Sequence, residues 1–94
     1  MHYIIHCLDR PGMLQTRLAT YDKHKAYLAQ ASIRIVISGP LVADDGETMI
    51  GSCFLVHAAS KDDVLAFHNG DPFKAAGVWG QVHITPLLKR VDTR

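Results

Sequence analysis

The stretch Ile33-Arg34-Ile35-Val36-Ile37-Ser38-Gly39-Pro40-Leu41-Val42-Ala43-Asp44-Asp45-Gly46-Glu47-Thr48-Met49-Ile50-Gly51-Ser52-Cys53-Phe54-Leu55-Val56-His57 decides the fold. Its first part, Ile33 to Ser38, is a β-branched run that reads as a strand. Gly39-Pro40 should end it, because proline cannot donate to a central ladder. Asp44-Asp45-Gly46 is a reversal signal, and Met49 to His57 returns as a second strand with Ile50, Phe54 and Val56 on one face. The segment is therefore a β-hairpin, and the rest of the chain must supply whatever covers it.

Upstream, Met13 to Ala31 contains neither glycine nor proline. Leu14, Leu18, Tyr21 and Leu28 recur there at helical spacing, which predicts a long amphipathic helix whose apolar stripe lies on a sheet. Before it, Tyr3 to Leu8 reads as a strand and Asp9-Arg10-Pro11-Gly12 as a loop. Downstream, Ser60 fits an N-cap with Asp63 three positions on, so Lys61 to about His68 should be a second helix, closed by Asn69-Gly70. Asp71-Pro72-Phe73 reads as a further cap with proline in the first helical position, giving a single turn before Gly77. Val78, Gly80, Val82 and Ile84 then alternate with Trp79, Gln81, His83 and Thr85 as a last strand, and Lys89 to Arg94 is a charged tail.

The order is βαββαβ, an α+β arrangement of ferredoxin-like type: a four-stranded antiparallel sheet with helices on one face. One domain over residues 1–94 is expected from the length. The uncovered face should carry Trp79, Gln81 and His83 beside apolar sets from the other strands. Such a patch usually marks an interface, so a homodimer packed through the open sheet face is expected.

Composition narrows the function classes. At 48% hydrophobic, 20% charged and a net charge of +1, the chain is not disordered by composition and shows no basic excess for nucleic acid. The third strand also lacks the basic and aromatic pattern of an RNA-binding sheet. No glycine loop forms a phosphate cradle. Two cysteines, Cys7 and Cys53, make neither a disulfide framework nor a CxxC motif. No apolar run approaches a membrane span, and the expectation is a soluble, cytoplasmic protein.

Six histidines raise the question of a metal, but none of the spacings chelates. His2 and His6, for instance, would stand roughly 13 Å apart on a strand. No metal and no cofactor are expected. His24 is different, lying on the helix stripe that faces the sheet three residues after Tyr21. It is either a hydrogen-bonded core histidine or a general acid or base. Asp71 is either a plain cap or a carboxylate that orients an imidazole. Arg17, two helical turns before His24 and roughly 10 Å along the same face, suits the anionic end of a small substrate. Ser38 and Trp79 complete the candidate substrate-binding set.

Asp9 after the first strand, Arg17 with His24 seven positions on, Gly39-Pro40, Asp71-Pro72-Phe73 with Ala76-Gly77, and a final strand running to Pro86 resemble the YciI-like (YCII-related) family over nearly the whole chain. The resemblance implies a dimeric α/β barrel built on ferredoxin-like subunits, with a histidine and aspartate active pair falling on His24 and Asp71. More loosely, the sequence is similar to dimeric α/β barrels that act on lactones or on hydroxylated and chlorinated aromatics by proton transfer. The implied activity is a cofactor-independent isomerisation, elimination or lactone-type reaction on a small anionic or hydroxyaromatic substrate. The alternative is a non-catalytic dimeric module that binds a small molecule or assists another enzyme.

Overall fold

The computed structural model describes all 94 residues. The N-terminal run forms β1 (His2–Asp9). It lies between β3 (Met49–His57) and β4 (Trp79–Leu87), and β2 (Arg34–Val42) pairs outside β3, giving the order β2-β3-β1-β4 with every pairing antiparallel. The helices are α1 (Leu14–Ala29), α2 (Lys61–Asn69) and the single-turn α3 (Pro72–Ala75). This is the ferredoxin-like arrangement that the hairpin and its flanks predict.

Register decides what is buried. Tyr3 opposes Val56, Ile5 opposes Phe54 and Cys7 opposes Ser52, so these six share one face. All six are buried, together with Val64 and Phe67 of α2, Phe73 of α3, and Val78. Ile5, Val56, Val64 and Phe73 have no exposed surface. Each contributes about 1.5–3 kcal/mol by leaving water. Ser60 caps α2 by accepting the Asp63 amide at 3.2 Å, and Asp62 and Asp63 place negative charge on its positive end.

Four details depart from the sequence-based expectations. The second strand does not stop at Gly39-Pro40 but runs on to Val42. It is an edge strand, where a residue without an N–H leaves no partner strand unsatisfied. Leu14, Leu18 and Tyr21 do not lie on the sheet; they are 41–51% exposed, and the buried residues of α1 are Arg17 and His24. Ile50 is exposed rather than inward with Phe54 and Val56, because the β2–β3 register shifts where Val42 opposes Met49 and Leu41 opposes Gly51. Trp79 is not on the open face with Gln81 and His83. The register between Leu8 and Asp9 skips Gly80, and this irregularity turns the indole to the helix side, where it packs on Phe54 and Phe73.

Gly51 is required by the β1–β3 pairing, since a Cβ there would collide with the Cys7 carbonyl oxygen. Gly51→Ala should therefore lower stability by about 1–3 kcal/mol or more, as overpacking does. The check is the urea midpoint; an unchanged midpoint would show that the strands can part at no cost.

Candidate active site

Seven residues make two helical turns, so Arg17 and His24 leave the same side of α1, and both side chains go inward. Charged and polar groups at these depths require partners. Arg17 is 3% exposed and forms a bidentate pair with Asp9 at the end of β1, Nε to Oδ2 and Nη2 to Oδ1 both at 2.8 Å. Nη2 also donates to Ser52 Oγ on β3 at 2.7 Å. The guanidinium carbon stands 4.7 Å from the centre of the Phe73 ring.

His24 lies flat on the same Phe73 ring, with centroids 4.0 Å apart and planes 13° apart. Its Nδ1 is 2.8 Å from Asp71 Oδ1. That oxygen also accepts the Phe73 amide at 2.9 Å, which caps α3. A carboxylate only accepts, so Nδ1 donates; in the neutral imidazole this leaves the lone pair on Nε2. Asp71 thus fills both roles open to it, cap and imidazole partner. It is 1% exposed, and its Oδ2 is buried with no partner.

The buried acid marks its surroundings. Burial pushes the Cys7 thiol up to about 12, with Asp71 adding to the effect, and the Tyr27 phenol is raised by the same two causes in the same order. His68, on the far side of the Trp79 ring and stacked on it at 5.0 Å, is shifted the opposite way, chiefly by burial and then by Lys74.

Arg17, His24, Ser52, Phe54 and Phe73 form the floor of a cavity of about 540 Å³ between α1 and the β2–β3 hairpin. Leu18, Tyr21, Lys25 and Leu28 of α1 line one side of it, and Ser38, Gly39, Pro40 and Met49 the other. Its lining contains arginine, lysine and histidine and no carboxylate; Asp9 and Asp71 stand behind the cations they pair with. An anion with an apolar body meets a favourable field and apolar walls here.

The family model for the YCII-related domain matches residues 1–88. The chain belongs to the YCII family. It is 31% identical to an uncharacterized protein of Haemophilus influenzae and 29% identical to protein YciI of Escherichia coli, each over 95% of this chain and 98% of the relative. Among solved structures it is similar to the 5-chloro-2-hydroxyhydroquinone dehydrochlorinase TftG of Burkholderia phenoliruptrix, in complex with 2,5-dihydroxybenzoquinone. The TM-score is 0.85 at 34% identity, covering 94% of each chain.

Of the residues singled out in the sequence of this YCII-family chain, the structure brings His24, Asp71, Arg17 and Ser38 to one place. Trp79 is not part of the cavity wall: it stands behind Ser52, its Nε1 donating to Ser52 Oγ at 3.2 Å. Arg17 is not free for a substrate carboxylate along its Nε/Nη2 edge, which Asp9 occupies; only Nη1 has no hydrogen bond within the protein. Sequence reasoning passed over Ser52, Phe73, Tyr21 and Lys25. Ser52 was the most legible of them, because it shares strand parity with Phe54 and Val56 and a polar residue on an inward face demands a partner.

Two outcomes follow from this geometry. Asp9→Ala leaves the Arg17 charge buried and unpaired, and should cost about 3–5 kcal/mol in urea unfolding. With the Cys7 thiol held protonated while an unfolded thiol ionises near its ordinary value of about 9, the unfolded state has fewer bound protons above that pH. Stability should therefore fall as pH rises from about 9 toward about 12, read from unfolding midpoints. Cys7→Ser should flatten that slope, and an unaltered slope would show that Cys7 is not its source.

Proposed function

We propose that this protein is a small-molecule enzyme in which His24 and Asp71 transfer a proton, most simply in an elimination from a hydroxylated ring or a related small anion. The supporting observation is the 2.8 Å contact between His24 Nδ1 and Asp71 Oδ1 at the floor of an otherwise cationic and apolar cavity. Nε2 of the neutral ring accepts a proton from the substrate. On a hydroxylated ring the leaving group departs from the keto tautomer, in which the carbon that bears it is tetrahedral. The proton comes from a ring hydroxyl, and the electrons of that O–H bond form a C=O. The neighbouring ring double bond shifts toward the tetrahedral carbon, and the leaving group departs with its own pair. Asp71 fixes the ring orientation and stabilises the imidazolium that results. Charge that develops on a substrate oxygen is met by Arg17 and Ser38.

The dehydrochlorinase activity of the similar Burkholderia protein favours elimination over isomerisation or lactone chemistry, and its quinone ligand favours a planar ring. Tyr21, an exposed aromatic ring in the cavity lining, supplies surface for one. The chemistry draws on these side chains alone and calls for no metal or cofactor.

The active unit we propose is a homodimer. The middle of the open sheet face, including Ile4, His6, Leu8, Cys53, Leu55, Gln81, His83 and Thr85, carries no acidic or basic side chain apart from its histidines. Ile37 on the same face is 56% exposed. Charge on this face gathers at one end, where Arg34 opposes His57 and the Lys89–Arg94 tail lines a hollow with Ile37 and Leu55; a second copy fits the uncharged middle. No helix is long and apolar enough to cross a membrane, and a cytoplasmic location is part of this proposal.

Chlorinated hydroquinones, lactones and keto acids form the assay panel. For whichever is turned over, His24→Asn should lower kcat by about 10²–10⁴-fold with circular dichroism unchanged. Asp71→Asn keeps an oxygen for the Phe73 amide but loses the charge, and should lower kcat by a smaller factor. Full activity in His24→Asn would refute the assignment. Sedimentation equilibrium at micromolar concentration should give twice the 10.4 kDa chain mass; a stable monomer would contradict the dimer.

A further inference from the structure

Hydrogen-bond accounting at Ser52 leaves one group over. A serine hydroxyl has two acceptor positions and one donor. Both acceptor positions of Ser52 Oγ are filled from within the protein, by Arg17 Nη2 at 2.7 Å and by Trp79 Nε1 at 3.2 Å. Its O–H has no acceptor in the protein. Ser52 is 3% exposed, and it lines the same cavity as His24. With its lone pairs committed, the hydroxyl can only donate, and the cavity is where an acceptor can stand. The bonded guanidinium draws electron density from Oγ and makes the O–H a stronger donor.

We infer that the Ser52 hydroxyl, with Nη1 of Arg17 beside it, is a subsite for an anionic oxygen of the substrate: a phenolate, an enolate or a carboxylate. This assignment rests on the cavity being the substrate site and deepens that proposal by naming the group that must be recognised. Arg17 is held by Asp9 and stacked over Phe73, and Ser52 is fixed between Arg17 and Trp79. The donors therefore need no reorganisation when charge develops, which is the condition for stabilising it. Asp9 and Trp79 act here as positioning residues, one anchoring the guanidinium and the other filling the second lone pair of the serine.

Because the natural substrate is unidentified, the probes are 4-nitrophenolate and its neutral methyl ether 4-nitroanisole, which share an apolar ring and differ in the anionic oxygen. The native protein should bind the phenolate more tightly than the ether. Ser52→Ala should weaken phenolate binding by about ten- to a hundredfold, the range for losing a hydrogen bond to a charged group. The ether should change by less than about threefold. Ser52→Cys keeps an acceptor atom for Arg17 and Trp79 but offers only a weak S–H donor. It should reproduce the selective loss, and it serves if the alanine variant does not fold. Equal weakening of both probes would overturn the subsite, since it would mean only that packing was lost, and so would unchanged binding of the phenolate. Failure of the native protein to bind either probe would overturn the subsite together with the cavity on which it rests. Loss of turnover in His24→Asn with unselective Ser52 variants would overturn the subsite alone.

Discussion

A buried carboxylate, Asp71, organises the molecule. It is 1% exposed, and one of its oxygens receives both the Phe73 amide and the His24 ring while the other receives nothing. An ionisable group taken from water so completely must be held by specific partners. Those partners tie together three elements distant in sequence: α1 through His24, α3 through its cap, and the sheet through the Phe73 ring that packs against Trp79. A cap alone would be served by an exposed aspartate at the helix start. Burial on this scale, beside an imidazole that lines a cavity, is the observation on which the proposed proton transfer rests.

Phe73 is the mechanical counterpart of that charge. It is fully buried, His24 stacks on it, Arg17 stands over it and Trp79 meets it edge to face. His24 and Arg17 are thus referenced to one rigid ring in a single-turn helix whose first residue is proline. Arg17 extends the order outward through Asp9 and Ser52, so the cavity floor is set by α1, the middle of β3 and α3, with the end of β1 behind Arg17. Its sides are the exposed residues of α1, Leu18 and Tyr21, and the edge strand.

Much of this was legible in the sequence because it depends on local rules. Strand alternation, the Ser60 and Asp71 caps and the Asp44-Asp45-Gly46 reversal are short-range signals, and they gave the order of elements. The seven-residue spacing of Arg17 and His24 placed both on one side of α1. What escaped were features that depend on register. The irregularity opposite Asp9 skips Gly80 and turns Trp79 inward, and no pattern of alternation announces it. The β2–β3 shift that exposes Ile50 is of the same kind. On α1 the inward placing of His24 and Leu28 holds, but Leu14, Leu18 and Tyr21 are exposed, because the helix gives its buried positions to Arg17 and His24. Polar residues win the inward positions here because each finds its partner across the fold, and such partners are invisible until the chain is folded.

Nitrogen-15 NMR of the imidazole nitrogens in the native protein addresses the central claim without any substrate. In its neutral form His24 should carry its proton on Nδ1, bonded to Asp71, with Nε2 bare toward the cavity, and Asp71→Asn should change that tautomer balance. A neutral His24 protonated on Nε2, or a tautomer indifferent to Asp71→Asn, would contradict the account.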